Sequence, residues 1–489
     1  MDKMVTFFAN GNEIKAKEGE ILLRALLENG IEVPHFCYHD ALGVDGNCRM
    51  CMVEIEGFKR PQVSCDTEVQ EGMVVRTMGA NINEVKRSIL ELELINHPVD
   101  CPICDQAGEC KLQDYYMQTG LYDSRLTTQK VHKNKHIDLG SSVMLDQERC
   151  VLCARCSRFT SNITKTGELG IMGRGDHSYL GTMPNKKLDN PYAMNVVDLC
   201  PVGALTSRDF RFKQRVWFLK SADSICQECE KGCNITIDHT QEKYKEDVIY
   251  RFKPRANKSV NGYFMCDFGR LSYKKQSENR QEEFLISGEK SESFEVLNKL
   301  KNLLDLNKGT VSILISPSCS LEEMMAVKLL AKRYEAEVFC DLDLYLEGKD
   351  DDFLIKAQKA SNKKGTELLG INSGDYKKNS LIININHKKI IKENGLIVEF
   401  LTHKKENNAY LVLPIAYFTE QKGSAINSDG YIQRMEKAIT KENMTLLEII
   451  QAVLEEEISF DLIWQELQKI DQLNGISWDK IGKTGIKVL

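Results

Sequence analysis

The sequence predicts a multidomain protein that combines α+β and α/β folds, and three observations lead to this class. The chain has 489 residues, enough for about three domains of ordinary size. Fifteen of its 17 cysteines lie between Cys37 and Cys266, in a part of the chain with few long periodic segments. After residue 300, apolar strand patterns alternate with amphipathic helix patterns, which is typical of parallel βαβ units. The first half is therefore predicted to bind metal and the second to fold around an ordinary apolar core.

The N-terminal elements are those of a small α+β domain. In order, the sequence predicts strands at Val5 to Ala9 and Glu13 to Lys17, a helix at Ile21 to Asn29, a strand at Met52 to Glu56 and a helix from about Asn83. That last helix should end near His97, because Pro98 disfavours helical geometry in the residue before it.

The second half shows the alternation of an α/β domain. Ser320 and Glu323 form a capping box that opens a helix to about Tyr334. The remaining predicted elements are strands at Val311 to Ile315, Val338 to Cys340 and Leu381 to Ile385, and a helical tail from Thr445 to about Leu473.

Composition excludes several classes of protein. The net charge of −6, from 65 basic and 71 acidic residues, gives no electrostatic footprint for nucleic acid. No run approaches 18 apolar residues, so no direct membrane insertion is expected. The N-terminus lacks the apolar core of a signal peptide, so the expected location is the reducing cytosol, where cysteine clusters usually bind metal or serve catalysis.

Two groups of ligand-type residues lie before residue 111. The first set is Cys37, Cys48, Cys51 and Cys65. One short pair flanked by two single cysteines suits a [2Fe–2S] centre better than zinc, which usually shows two short pairs. The second set is His97, Cys101, Cys104 and Cys110. It fits either a zinc site or a [4Fe–4S] cluster with one imidazole ligand, and its position between iron–sulfur patterns favours the cluster, although His97 could also be an ordinary helix-end histidine.

Two further groups follow. The third set is Cys150, Cys153, Cys156 and Cys200. It matches the bacterial ferredoxin run of three closely spaced cysteines with a remote Cys-Pro, and Thr160 stands where a two-cluster ferredoxin has a further cysteine, so one [4Fe–4S] cluster is expected. The fourth set is Cys226, Cys229, Cys233 and Cys266, whose three clustered thiolates again favour a [4Fe–4S] cluster over a zinc ribbon.

The four sets use all fifteen cysteines of the first half. No residue outside them is predicted to catalyse a reaction. Cys319 and Cys340 are expected to be small buried hydrophobes. Arg149, Arg155 and Arg158 could offset cluster charge or be surface residues. No dinucleotide fingerprint, Walker loop or nucleophile–base pair is recognisable, so no catalytic residue is expected. Redox centres without a substrate site describe an electron relay.

These four spacings, in this order, resemble the large iron–sulfur subunit of NADH:quinone oxidoreductase, respiratory complex I. The match is close over residues 1 to about 275. The resemblance implies one [2Fe–2S] and three [4Fe–4S] clusters held by the four sets, with His97 as a true ligand. It implies a β-grasp [2Fe–2S] ferredoxin domain at 1–78, a [4Fe–4S] domain with one histidine and three cysteine ligands at 79–139, a ferredoxin-like [4Fe–4S] domain at 140–218 and a molybdopterin-oxidoreductase-type [4Fe–4S] domain at 219–275.

Residues 276–489 are similar, more weakly, to a molybdopterin-oxidoreductase α/β domain. The similarity rests on Leu413-Pro414, Glu420, Gly423-Ser424, Asn427, Gly430 and Gln433, with Tyr431 where that pattern usually has arginine. The segment is short and shows no cysteine ligand for molybdenum, so a vestigial, truncated domain without molybdopterin is expected.

The resemblance implies an electron-transfer subunit of the peripheral arm of complex I. Electrons would come from a flavin-bearing, NADH-oxidising partner, pass the first, third and second sets, and continue through downstream iron–sulfur subunits towards quinone, coupled in the whole complex to proton translocation. The implied location is peripheral, on the cytoplasmic face of the inner membrane.

Three alternatives belong to other classes. One is the relay subunit of a soluble flavin-based hydrogenase or formate dehydrogenase complex. Another is a complete iron-only hydrogenase, which would need four more cysteines downstream where only two exist. The third is a zinc-rich assembly scaffold, which would contain zinc and no acid-labile sulfide.

Overall fold

The computed structural model describes residues 3–119, 123–241, 247–374, 376–377, 380–392 and 395–489. The chain divides into two compact units, Met1–Phe218 and Leu219–Leu489. No helix in the described ranges is both long enough and apolar enough to cross a lipid bilayer.

The first unit is built from short strands and helices. Its strands are β1 Met4–Ala9, β2 Asn12–Lys17, β3 Met52–Ile55, β4 Gln62–Val63, β5 Val74–Arg76, β6 Ile137–Asp138, β7 Val143–Leu145, β8 Leu169–Met172, β9 Tyr179–Thr182 and β10 Leu205–Ser207. Its helices are α1 Leu22–Glu28, α2 Ala80–Leu94, α3 Lys111–Thr119, α4 Arg155–Arg158 and α5 Asn195–Leu199.

The N-terminal domain has the predicted hairpin and helix. β1 pairs antiparallel with β2, placing Phe7 opposite Ile14, and β5 joins β1 in parallel. The five-stranded sheet has the order β2-β1-β5-β3-β4, and Leu22 and Leu26 of α1 are fully buried in its core. This mixed sheet covered by one helix confirms the predicted ferredoxin-like fold of the domain.

Helix α2 lies close to its predicted limits. It begins at Ala80, ends at Leu94 and has its C-cap at Ile95, so the chain leaves the helix just before His97, as predicted. The carbonyls of Leu94 and Ile95 accept hydrogen bonds from Lys130 Nζ at 2.8 and 2.9 Å. A lysine from a distant segment therefore caps the end of the helix.

Three sheets lie in the part of the second unit that the structure describes. Its strands are β11 Lys220–Ile225, β12 Asn234–Gln241, β13 Asp247–Pro254, β14 Leu285–Ile286, β15 Glu289–Lys290, β16 Val311–Ile315, β17 Glu337–Cys340, β18 Asn372–Ser373, β19 Leu381–Ile385, β20 Leu396–Leu401, β21 Leu411–Pro414, β22 Gly423–Ile426, β23 Tyr431–Met435 and β24 Ile486–Lys487. Its helices are α6 Asp267–Leu271, α7 Ser293–Leu306, α8 Leu321–Tyr334, α9 Lys363–Leu368, α10 Leu446–Leu454, α11 Phe460–Leu467 and α12 Trp478–Ile481.

The largest sheet belongs to the α/β domain that the sequence predicts. Its eight strands have the order β15-β14-β21-β20-β19-β16-β17-β18, and the neighbours from β21 to β18 are parallel. β16 and β19 are buried along their whole length, as expected for strands covered on both faces. α8 begins with the predicted capping box between Ser320 and Glu323.

The helical tail is interrupted, contrary to the prediction of helix from Thr445 to about Leu473. α10 ends at Leu454 because Glu455 takes a left-handed conformation, φ +55°. A new helix, α11, starts after Ser459, whose side chain accepts the N–H of Leu462 at 3.3 Å.

Candidate metal centres

The first set lies beside the N-terminal sheet with all four thiols buried. Three of its cysteines occupy the loop between α1 and β3, and Cys65 follows β4 in a single 3-10 turn, Ser64–Asp66. Ser64 ties that turn to the loop, since its N–H and hydroxyl donate to the Cys51 carbonyl at 3.1 and 2.8 Å. The thiol of Cys37 contacts those of Cys48 and Cys65, and a hydrogen bond with Cys65 lowers the pKa of Cys51. The structure thus brings the four predicted ligands together.

Backbone N–H groups surround the sulfur of Cys48. The amides of Phe36 and Cys37 donate to its Sγ at 3.4 and 3.5 Å. The loop turns through Gly43 and Gly46, both with positive φ, at +71° and +73°. Hydrogen bonds to sulfur are among the features that set an iron–sulfur potential, so this loop suits a cluster.

The second set lies between α2 and α3. His97, Cys101 and Cys110 line one cavity. Cys101 is exposed, whereas Cys104 and Cys110 are buried. Burial raises the pKa of the Cys110 thiol to about 11 and is the main cause that lowers the pKa of His97 to about 4. His97 is therefore a neutral imidazole at pH 7, the form that binds metal.

Cys104 connects the second set to the third. A Cβ on Gly203 would lie 2.1 Å from the Cys104 Sγ, so only glycine fits there. Gly203 follows Cys200 and Pro201, and the amide of Lys111, the residue after Cys110, donates to the Pro201 carbonyl at 2.9 Å. Segments that carry ligands of the two sets are thus hydrogen-bonded to each other.

The third set lies in the loop before α4, within α4 itself and directly after α5. Its four cysteines line one cavity, and burial raises all four thiol pKa values, that of Cys153 to about 12. Leu152 and Ala154 take left-handed conformations, φ +48° and +58°, and the Leu152 amide donates to the Cys150 Sγ at 3.4 Å. Such strain in non-glycine residues is typical of a functional site.

Two glycine positions give a steric test of fit for a cluster, because sulfur occupies the space of a side chain at Gly203 and Gly269. These close approaches, together with the sulfur and imidazole donors of the four sets, fit the expected iron–sulfur clusters.

Two of the three neighbouring arginines are not surface residues. Arg149 is 4% exposed and Arg155 is 8% exposed, so a surface role is wrong for both. Arg155 donates from Nη2 to the Tyr38 carbonyl at 2.6 Å and from Nη1 to the Leu199 carbonyl at 3.3 Å. It therefore joins the residue after Cys37 to the residue before Cys200.

Arg158 and Asn47 make further contacts between the segments of the first and third sets. Arg158 donates to the carbonyls of Leu42, at 3.2 Å, Gly43, at 3.1 Å, and Cys37. Asn47 Nδ2 donates to the Leu152 carbonyl at 3.2 Å. The loop of the first set and the loop of the third set thus lie in direct contact.

The fourth set is assembled within the second unit. Cys266 caps α6, and its Sγ accepts the Gly269 amide at 3.3 Å. A Cβ on Gly269 would lie 2.8 Å from the Cys226 Sγ and 3.4 Å from the Cys266 Sγ. The Cys226 amide donates to the Cys233 carbonyl at 2.8 Å, which closes the loop between them.

The hairpin β22–β23 holds this loop in place. Gln433 Nε2 donates to the Gly232 carbonyl at 3.0 Å, and Asn427 Nδ2 to the Lys231 carbonyl at 3.3 Å. Lys231 forms an ion pair with Asp429 at 2.6 Å. Asn427 and Gln433, two residues of the sequence pattern in the second half, therefore support the fourth set.

The cysteines outside the four sets are structural. Cys319 and Cys340 are buried in the core of the α/β domain, as predicted. Across the described ranges, no three His, Cys, Asp or Glu side chains are arranged to hold a single metal ion.

Three family models match the first unit. A 2Fe-2S iron–sulfur cluster binding domain matches residues 2–79, the NADH-ubiquinone oxidoreductase-G iron–sulfur binding region matches 86–125, and the ferredoxin-like domain of NADH-quinone oxidoreductase subunit 3 matches 140–206.

Curated relatives are named, like two of these family models, as subunits of NADH oxidoreductases. The G subunit of NADH-quinone oxidoreductase from Rickettsia prowazekii (strain Madrid E) is 34% identical over 339 residues, 68% of this chain and 49% of the relative. The NADH-ubiquinone oxidoreductase 75 kDa subunit of Reclinomonas americana is 34% identical over 390 residues, 76% of this chain and 55% of the relative. The chain thus spans about half the length of these relatives.

Among solved structures, a chain of an NAD+-reducing [NiFe]-hydrogenase in the H2-reduced state is similar with 32% sequence identity. The match covers 43% of this chain and 91% of that chain, with a TM-score of 0.40.

Proposed function

This chain belongs to the family of the large iron–sulfur subunit of NADH-quinone oxidoreductase, and we propose that it is the electron-relay subunit of such a complex. Its partners are a flavin-bearing subunit that oxidises NADH and downstream iron–sulfur subunits that lead towards quinone. The complex couples this electron transfer to proton translocation, with the chain peripheral on the cytoplasmic face of the inner membrane.

We assign one [2Fe–2S] cluster to the first set and one [4Fe–4S] cluster to each of the other three. Bound iron–sulfur clusters supply reversible one-electron transfer. The protein holds their sulfur ligands, buries most of them and donates backbone N–H groups to one sulfur in each of the first, third and fourth sets. We also propose that the cluster domains are divided at residues 78 and 139 and that the fourth-set domain ends at residue 275.

One observation supports the relay most strongly, namely the direct contacts between successive ligand sets in the first unit. Arg155 and Arg158 join the first set to the third, and the hydrogen bond from Lys111 to Pro201 joins the third to the second. Close packing of the ligand segments favours the order first, third, second.

For residues 276–489 we propose a supporting role without a pterin cofactor. The polar residues Asn427 and Gln433 are engaged with the loop of the fourth set. Both cysteines of this domain, Cys319 and Cys340, are packed in the apolar core.

The test is to purify the chain anaerobically with its natural partners and to record EPR spectra after adding NADH, hydrogen or formate. The proposal expects NADH to reduce the clusters and a flavoprotein to co-purify. Reduction by hydrogen or formate with a hydrogenase or formate dehydrogenase partner would instead establish a soluble relay complex, and zinc without acid-labile sulfide would overturn both.

A further inference from the structure

Arg149 is a buried cation at the boundary between the second and third sets. It immediately precedes Cys150, and its side chain is 5% exposed. Its Cδ lies 3.7 Å from the point that a Cβ on Gly203 would occupy, and the Cys104 Sγ lies 2.1 Å from the same point. The side chain therefore leaves the backbone of the third set and runs beside a sulfur of the second.

Arg149 places a buried positive charge beside a sulfur ligand of the second set, because its side chain and the Cys104 Sγ approach the same point at Gly203. A fixed cation there favours the electron that reduces a cluster held by this set, because reduction adds negative charge and water screens a buried charge little.

Carboxylates fix the position of the guanidinium. Arg149 Nη2 lies 2.9 Å from Asp100 Oδ2 and Arg149 Nε lies 3.3 Å from Asp146 Oδ2. Lys135 shares both carboxylates, at 2.6 and 3.5 Å, and also binds Glu148 at 2.8 Å. Lys135 is 32% exposed, so water screens its charge more than that of Arg149.

The third set has its own buried cation in Arg155, which contacts the carbonyl of the residue before Cys200. Loss of Arg149 therefore removes the buried cation beside the second set and leaves that of the third set in place.

We propose that the buried charge of Arg149 raises the reduction potential of the cluster in the second set more than that of the cluster in the third. This proposal rests on the ligand sets assigned above. The contribution of Arg149 is favourable to reduction of that cluster, because a fixed cation offsets the negative charge that reduction adds.

The test is an EPR-monitored redox titration of the full holoprotein and its Arg149→Gln variant. Cys101→Ala and Cys150→Ala identify the signals, because each removes one cluster. In Arg149→Gln the reduction equilibrium constant of the second cluster should fall at least about tenfold, which is about 59 mV for a one-electron couple. That of the third should change less than about threefold.

Three further variants separate charge from structure. Arg149→Lys keeps the cation and should restore most of the potential. Lys135→Gln removes a cation from the same carboxylates and should shift the second cluster less than Arg149→Gln does. Asp100→Asn removes an anion and should shift it in the opposite direction, which keeps the test decisive if Arg149→Gln does not fold.

Three results would overturn the proposal: an unchanged second-cluster potential in Arg149→Gln, equal shifts of both clusters in that variant, or a Lys135→Gln shift as large as that of Arg149→Gln. If the wild-type protein itself shows no cubane signal that Cys101→Ala removes, the ligand assignment fails and this inference fails with it.

Discussion

Residues 97–218 and residues 281–489 both bury ionisable groups. The two regions differ in how the charge of these groups is neutralised. In the first region, the buried Arg149 faces two carboxylates and the buried Arg155 faces backbone carbonyls, around thiols whose burial disfavours the thiolate. In the second, burial raises the pKa of Glu322 and of Glu399 to about 7. We expect the first region to need a metal once its thiols ionise, whereas the second can neutralise Glu322 by protonation and pairs Glu399 with Lys405 at 2.9 Å.

The difference concerns what stabilises each fold. The α/β region has a continuous apolar core that includes Ile313, Leu321 and Ile383, all fully buried. The cluster region places its cysteine loops between short strands and short helices. Metal binding should therefore contribute folding free energy to the first region and little to the second.

Removing iron tests this contrast with the largest expected effect. Anaerobic chelation after oxidation should abolish hydrogen-exchange protection in β7 and β10 and leave β16 and β19 protected, because only the former lie beside cluster ligands. Mass spectrometry of exchanged peptides measures both. Retained protection in β7 and β10 after complete loss of iron would contradict the contrast.

A core truncation tests the other side of the comparison. Ile313→Ala in β16 should destabilise the α/β region by about 2 to 5 kcal/mol, since Ile313 is fully buried. Urea unfolding followed by circular dichroism measures this, and visible absorbance should show unchanged cluster content in native buffer. Leu306→Ala, at a residue 83% exposed, is the control and should have little effect.

A smaller effect should come from the buried carboxyl of Glu322. Its carboxylate oxygens accept hydrogen bonds from Ser424 N and Oγ at 2.7 and 2.8 Å. Because its pKa is raised from 4.5 to about 7, the folded protein binds the proton more tightly, and wild-type stability should fall as pH rises from about 4.5 through about 7.

Glu322→Gln cannot ionise and should therefore gain about 1 to 2 kcal/mol relative to wild type between pH 5 and pH 8. Urea unfolding at several pH values measures the difference. Glu295→Gln, whose side chain is 57% exposed, should leave the pH dependence unchanged. A constant difference between wild type and Glu322→Gln across pH would contradict protonation as the means of balance.

Local signals made much of the fold predictable from the sequence. The strands at Val311–Ile315 and Leu381–Ile385 and the capping box at Ser320 depend on residues within one element, and the structure has them as predicted. The end of α2 follows from the local signal of Pro98, but the hydrogen bonds that Lys130 donates to its last carbonyls come from more than thirty residues away, and no local pattern reveals them.

The same distinction holds at the candidate sites. Cysteine spacing predicts the four ligand sets, because ligands that are close in sequence can reach the same cluster. The burial of Arg149 and Arg155 and the steric need for Gly203 depend on which loops meet in space. The run Cys-Pro-Val-Gly, which begins at Cys200, can be read from the sequence. The contact between Gly203 at its end and the sulfur of Cys104 cannot.

Iron and acid-labile sulfide analysis of the anaerobically purified chain, together with EPR of the reduced protein, tests the relay most directly. The account predicts about 14 iron atoms per chain and signals from one binuclear and three cubane clusters. About four zinc atoms per chain with no acid-labile sulfide would contradict it.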